Sequence, residues 1–434
     1  MPKKATTVEA IREERITAGT FNPLLNALRV NDKKNLFTSN TVSYFHKTGY
    51  PLFDFYFGSV VNIHNELGEI IAQEPRIGQA AGTFNMVVGK SGTGKTTLVV
   101  QLSANIIRQY PNATIHHYDC EQRFGISRGE NIARLPISDF DENGRYILQQ
   151  GTVTLEDMQE AIIKLYAAKI RDYDALKVPT GQVNEFGKEI MILPPSIIIM
   201  DSIANIISDT FSVDNAKELA DAEKLRGNSE GMRDAKTIRG FLKDIAPLLK
   251  KANIIIYAVN HINANVSMSA FTPPTKQMAF LKQDESIPGG NALFFGSFNL
   301  AKLTSKPGDD FTEETDGFAG HMVMVEPVKS SSNQSGNAQK GVSFELVFSF
   351  KHGFDSLRSL ILYGKEKGLI EGTKPRLKFT GDSSFTFTWK NIDKEKDEKP
   401  IWESVAQFIM PELRTHLSFV EPEATKFDER SLAY

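Results

Sequence analysis

From residue 84 to residue 107 the chain passes from a short apolar run, FNMVV (Phe84–Val88), through GKSGTGKT (Gly89–Thr96), into a stretch with Leu98, Leu102 and Ile106 spaced four apart. A strand, a glycine-rich turn and an amphipathic helix in that order leave few options for the fold. Gly89, Gly92 and Gly94 let successive backbone N–H groups converge, and the helix that opens near Lys95 adds the partial positive charge of its N-terminus. This spacing suits the phosphates of ATP. Lys90, Ser91, Thr93 and Thr97 complete the loop and its exit, Lys95 reaches the β- and γ-phosphates, and the Thr96 hydroxyl ligates Mg²⁺. ATP and Mg²⁺ are the expected cofactors.

Three further apolar runs, TIHHY (Thr114–Tyr118), SIIIM (Ser196–Met200) and NIIIYAV (Asn253–Val259), have the unalternating pattern of strands buried on both faces of a parallel sheet. Between them lie helical periodicities such as Ile238, Leu242, Ile245 and Leu249. The expected fold class is α/β with a mostly parallel central sheet. After Phe298 the runs FNLAKL, HMVMVEPV and GVSFELVFSF follow one another without helices, which predicts an antiparallel extension of the sheet. Three regions result: an N-terminal helical arm over 1–47, whose packing on a neighbour or on its own core is open, a large core over 48–370, and a small α+β module over 371–434. In that module the run KNIDKEKDEKP (Lys390–Pro400) reads as a solvated loop, and Trp402–Leu417 as a short amphipathic close.

Two carboxylates fall where the phosphate chemistry needs them. Asp201 directly follows SIIIM and can hold Mg²⁺ through water. Glu121, in YDCEQ, ends the second strand on the same carboxyl edge, where it can orient and deprotonate a water, an effect worth ~10² to 10⁴-fold in rate. A surface glutamate is the plain alternative. Cys120 beside it has no activating base in the sequence and reads as a small strand residue. It is the one cysteine of 434 residues, so no internal disulfide forms and a reducing cytoplasm is expected. MPKKATTVEAIREERI lacks the apolar stretch of a signal peptide, and no run approaches the ~20 apolar residues of a membrane helix. A net charge of −3 argues against a wholly basic polymer binder but leaves room for local nucleic-acid contacts.

The phosphate loop, Glu121, SIIIMDS with Asp201 and Ser202, NIIIYAVNH ending in Asn260 and His261, and PGGNALFFGS (Pro288–Ser297) occur in an order that resembles the RecA family of recombinases. FGIS (Phe124–Ser127), MRDAKTIRGFLKDIAP (Met232–Pro247) and VNH (Val259–His261) are similar to its phage branch. The likeness spans about residues 48–370 and includes TGYPLFDFYFGS (Thr48–Ser59), which looks like the family's segment ahead of the phosphate loop. It implies a RecA-type P-loop ATPase core and an enzyme that hydrolyses ATP to ADP and phosphate on DNA. Such an enzyme forms helical filaments on single-stranded DNA and pairs it with homologous duplex for recombination and repair. A loader or single-strand-binding protein is the further partner implied, in a bacterial or phage-infected cytoplasm and with no membrane.

The resemblance also implies residue roles. His261 looks like the γ-phosphate sensor, acting with the catalytic Glu121 and Lys95; a hydrogen-bonded histidine at a strand end is the alternative. One DNA loop should lie within 208–233, with Arg226, Arg233, Lys236 and Arg239 as cations there and on the following helix, a solvated helix face being the alternative. A second should run from about residue 263 to the Gly289, Gly290, Asn291 triplet. There Met268, Phe271, Met278 and Phe280 can stack on bases for ~1 to 3 kcal/mol each, or else pack on their own domain. VKSSS keeps Lys329, one of a lysine pair that in the family reaches a neighbouring protomer's phosphates, but has Ser331 at the second position. No adenine-stacking tyrosine follows Glu121, where QRFGISRGE offers Arg128. Trp389 and Trp402, with Arg376 and Lys378, are the candidates for duplex DNA in the terminal module. Two other readings share the core: a hexameric DnaB-type replicative helicase, and a recombination mediator that binds ATP without hydrolysing it.

Overall fold

Runs of branched apolar residues need cover on both faces, and the computed structural model of the chain supplies it with two helical layers around one sheet. The structure describes residues 44–64, 70–135, 144–184, 187–206, 229–264, 276–331, 341–417 and 419. All but the last four residues of the expected N-terminal arm, and all of residues 207–228, lie outside the described residues.

Among the described residues the central sheet has nine strands: β1 (Phe84–Gly89), β2 (Thr114–Asp119), β3 (Tyr146–Gln150), β4 (Ser196–Asp201), β5 (Ile254–His261), β6 (Asn299–Phe311), β7 (Gly320–Ser330), β8 (Phe344–Ser349) and β9 (Gly353–Asp355). Their spatial order is β3-β2-β4-β5-β1-β6-β7-β8-β9. Strands β3 to β6 in that order pair in parallel, and β7, β8 and β9 continue antiparallel. The α/β class and the mixed sheet agree with the sequence expectation, with one correction. FNLAKL, expected in the antiparallel extension, forms the start of β6 and runs parallel to β1, Asn299 opposite Asn85. The long passage between β5 and β6, which includes the helix α4 (Gly290–Gly296), returns the chain to the same end of the sheet before β6 begins, so the antiparallel order starts one strand later.

Alternation along each buried strand divides the core. Val87, Ile115, Ile197 and Ile255 point to one face, against Leu98, Leu102 and Ile106 of α1 (Lys95–Ile107). Met86, Val88, Ile198 and Ile256 point to the other, against Met158 and Ile162 of α2 (Leu155–Arg171) and Ile238, Leu242, Ile245 and Leu249 of α3 (Ser229–Ala252). Helix α2 begins at a capping box in which the Thr154 hydroxyl accepts from Asp157 N and the Asp157 carboxylate accepts from Thr154 N. None of the described helices is long and apolar enough to cross a membrane.

Beyond α5 (Ser356–Glu366), the strands Ile370–Thr373, Arg376–Phe379 and Asp382–Phe387 form a small antiparallel sheet followed by helical segments. Their Phe379, Phe387, Ile401, Val405 and Ile409 join the same hydrophobic cluster as α1 and the buried helix Pro51–Tyr56. Two expectations for this region are corrected. Much of the charged run is not a loop, because Glu395–Ser404 is helical and buries Ile401. Trp389 is 2% exposed and its indole N–H donates to Asp316 Oδ1 at 3.0 Å, so it fills the core and presents no face to DNA.

Candidate nucleotide site

The pleat registers bring the candidate chemistry to one edge. Asp119, Asp201, Val259 and Val87 lie in one row across β2, β4, β5 and β1, and His261 stands opposite Gly89 two residues further on. Glu121 lies equally far beyond Asp119. Strand β4 sits between β2, which Glu121 follows on a turn, and β5, which ends in His261; β4 ends at Asp201, level with the end of β2, and the two side chains meet above its end. His261 Nε2 lies 2.7 Å from Glu121 Oε1. Beneath them, Thr96 Oγ1 donates to Asp201 Oδ2 at 2.6 Å.

The phosphate loop has the backbone its glycines permit. Gly92 and Gly94 sit at φ +80° and +81°, and Gly94 is the left-handed residue from which α1 starts. Lys95 is 5% exposed and curls back so that Nζ donates to Lys90 O at 2.8 Å; Thr93 Oγ1 donates to the same oxygen at 2.9 Å. Burial lowers the Lys95 pKa to about 8, against the opposing pull of Asp201 and Glu121. Burial likewise raises the Asp201 carboxyl to about 6, the Thr96 hydrogen bond opposing and the nearby Glu121 and Asp119 adding to the shift. Ser91, Cys120, Glu121, Arg123 and His261 line an open cavity of about 460 Å³ beside the loop. Burial pushes the Cys120 thiol up to about 11, in keeping with a packed strand-end residue. Thr97 is buried, with its methyl beside Gly353.

This arrangement fits a magnesium nucleotide. A convergent turn at a helix N-terminus, an inward lysine, and a hydroxyl in contact with a carboxylate supply the donors and hard oxygens that triphosphate and Mg²⁺ require.

Residues that sequence reasoning missed support these groups. His117, one turn of the pleat behind Asp119, is buried on the Asp201 side: Nδ1 is 2.9 Å from Tyr146 Oη, and Nε2 is 4.0 Å from Asp201 Oδ2. Burial lowers its pKa to about 4, so it is neutral beside the carboxylate. Asp119 accepts from Phe124 N and from Gln150 Nε2, both at 2.8 Å, and so fixes the turn that carries Glu121. Asn260 links the edge to the following segment: its side chain accepts from His261 N at 2.9 Å and donates to Pro288 O at 2.9 Å. Glu285, buried in that segment, lies 3.5 Å from Lys90 Nζ of the phosphate loop and 4.0 Å from Lys302 Nζ. The alternation in TIHHYD marks His117 and Asp119 as same-face residues; nothing in sequence spacing marks Glu285.

The expected DNA residues divide. Arg226, Met268 and Phe271 lie outside the described residues, and Arg233 is described only as part of the α3 backbone. Lys236 and Arg239 are exposed on α3. Met278 is buried, and Phe280 is half-buried against the cluster beneath α3, stacked on Phe294 with centroids 5.9 Å apart; both take the packing role weighed for them. Gly289, at φ +72°, caps α4, where a Cβ would lie 2.5 Å from Leu293 Cδ1; Gly290 and the exposed Asn291 open the helix. Lys329 Nζ donates to Phe294 O and Phe295 O, both at 2.9 Å, and so serves the end of α4 rather than the phosphate cavity of its own chain. Compared with known proteins, the chain matches no protein-family model and no curated protein.

Proposed function

We propose that the chain is an ATP-dependent DNA recombinase of the RecA type, which assembles as a helical filament on single-stranded DNA and exchanges it with a homologous duplex. The observation that carries the reading is the 2.7 Å Glu121–His261 contact, directly above the 2.6 Å Thr96–Asp201 contact and beside the phosphate loop. An acid poised for water and a histidine at the mouth of a segment meant for DNA form one unit.

In this reading Thr96 and Asp201 hold Mg²⁺, which when bound neutralises charge on the β- and γ-phosphate oxygens. Lys95 leaves Lys90 O for the phosphates. Glu121 takes the proton of the attacking water. His261 is shared between Glu121 and the γ-phosphate, and Asn260 passes its position to Pro288 and the segment ending at Gly289. Nucleotide state and DNA segment are thereby coupled through one strand end, which is what a filament that grips DNA with ATP and releases it after hydrolysis requires.

The test is strand exchange. Purified protein with ATP, Mg²⁺, circular single strands and homologous linear duplex should produce joint molecules that depend on homology. Duplex unwinding without homologous pairing would return the DnaB-type helicase, and negligible turnover on saturating single strands would return the mediator.

A further inference from the structure

Hydrolysis of ATP needs positive charge where the bridging oxygen gains electrons, and the lysines of this edge are largely committed. Lys90 faces Glu285 at 3.5 Å, Lys302 Nζ donates to Phe280 O at 2.8 Å, and Lys329 Nζ donates to the two α4 carbonyls at 2.9 Å. Lys95 serves the phosphates themselves. Arg123 differs. Its side chain is 83% exposed, it lines the same cavity as Ser91, Glu121 and His261, and its Nη1 stands 3.8 Å from Glu121 Oε2, outside hydrogen-bond range.

The backbone beneath it is fixed. Gln122 takes φ +54° and donates its N–H to Asp119 O at 3.3 Å. Phe124 N donates to Asp119 Oδ2 at 2.8 Å, Phe124 O accepts from Gln150 Nε2 at 3.1 Å, and the Phe124 ring meets His117 edge-on with centroids 4.6 Å apart. An exposed guanidinium, in a loose 3.8 Å ion pair with Glu121, therefore stands on a hydrogen-bonded turn, at the rim of the phosphate loop and next to the proposed base.

We propose that Arg123 contacts the γ-phosphate of ATP from within its own chain and supplies in cis the charge for phosphoryl transfer. This rests on the nucleotide reading above. In the step, the water oxygen bonds to the γ-phosphorus as the bond from phosphorus to the β–γ bridging oxygen breaks. The water proton passes to Glu121 and then to solvent, the electron pair of the broken bond stays on ADP, and inorganic phosphate leaves. Arg123 donates to a γ-phosphate oxygen throughout, and its charge offsets the charge that grows on the bridge. Arginines placed this way in other phosphoryl-transfer enzymes are worth ~10³ to 10⁵-fold in kcat.

The experiment compares full-length wild type, Arg123→Ala and Arg123→Lys in two measurements. One is ATP hydrolysis on saturating single-stranded DNA, and the other is equilibrium binding of ADP and of a non-hydrolysable ATP analogue. The alanine variant should lose ~10³-fold in kcat, bind the analogue more weakly and ADP as well as wild type does, and recover part of its rate in added guanidinium. Lysine, a point charge without the fork, should fall between. An alanine variant with wild-type or faster turnover, or with equal loss of ADP and analogue affinity, overturns the proposal. Wild type that binds the analogue but does not turn over contradicts the ATPase reading alone. The analogue-to-ADP ratio of the alanine variant then still decides where Arg123 points: a lowered ratio supports contact with the γ-phosphate, and an unchanged ratio overturns it.

Discussion

The proposed mechanism needs Asp201 and Lys95 in their charged forms, and burial works against both. Asp201, raised to about 6, must lose its proton to hold a cation; Lys95, lowered to about 8, must keep its proton to hold phosphate. The signs oppose. The kcat/KM for ATP should rise with pH through about 6 and fall again through about 8, because this ratio reports the free protein. A steady-state profile flat from acid to alkaline pH would contradict both assignments. Glu121→Gln keeps an acceptor for His261 but removes the proton acceptor, so ATP binding should persist while DNA-dependent turnover falls ~10²-fold or more, as measured by phosphate release. At this scale the sequence made the phosphate loop, Glu121, Asp201 and His261 legible, because their chemistry is local to a motif or a strand end. Glu285 was not legible, and of His117 and Asp119 only their shared face was. What makes them matter is which side chains the fold stacks against them, and a polar residue inside a strand carries no mark of its eventual neighbour.

At the scale of elements, β2 and β4 end level, at Asp119 and Asp201, while β5 runs two residues further, and Glu121 on the turn after β2 meets the last residue of β5, His261, above the end of β4. The opposite edge of the sheet has its own pin. Lys169, buried on α2, donates from Nζ to Pro194 O at 2.6 Å and Ala252 O at 2.9 Å, tying that helix to the entrances of β4 and β5. Removing the donor leaves two buried carbonyls short of a partner, at about 1 to 3 kcal/mol each. Lys169→Ala should therefore lower the unfolding free energy by about 2 to 6 kcal/mol in urea titration while nucleotide affinity holds. An unchanged midpoint would show that Lys169 adds nothing net. Strand and helix cores were readable from apolar runs and fourfold spacing. The direction of β6 was not, because it is set by the long return through α4 and not by the strand's own residues. The helix Glu395–Ser404 was hidden by its charge, which describes its solvent face and not the buried Ile401.

For the whole molecule, the net charge of −3 and the α/β core place no bar to DNA, since a filament multiplies a few contacts per protomer. The terminal segments share their hydrophobic cluster with α1, the helix that follows the phosphate loop. The RecA reading makes a demand of assembly that no single-chain property meets. Its most direct test is electron microscopy of the protein with single-stranded DNA, Mg²⁺ and a non-hydrolysable ATP analogue. Continuous helical filaments along the DNA are the predicted result; closed rings or free monomers alone would contradict it.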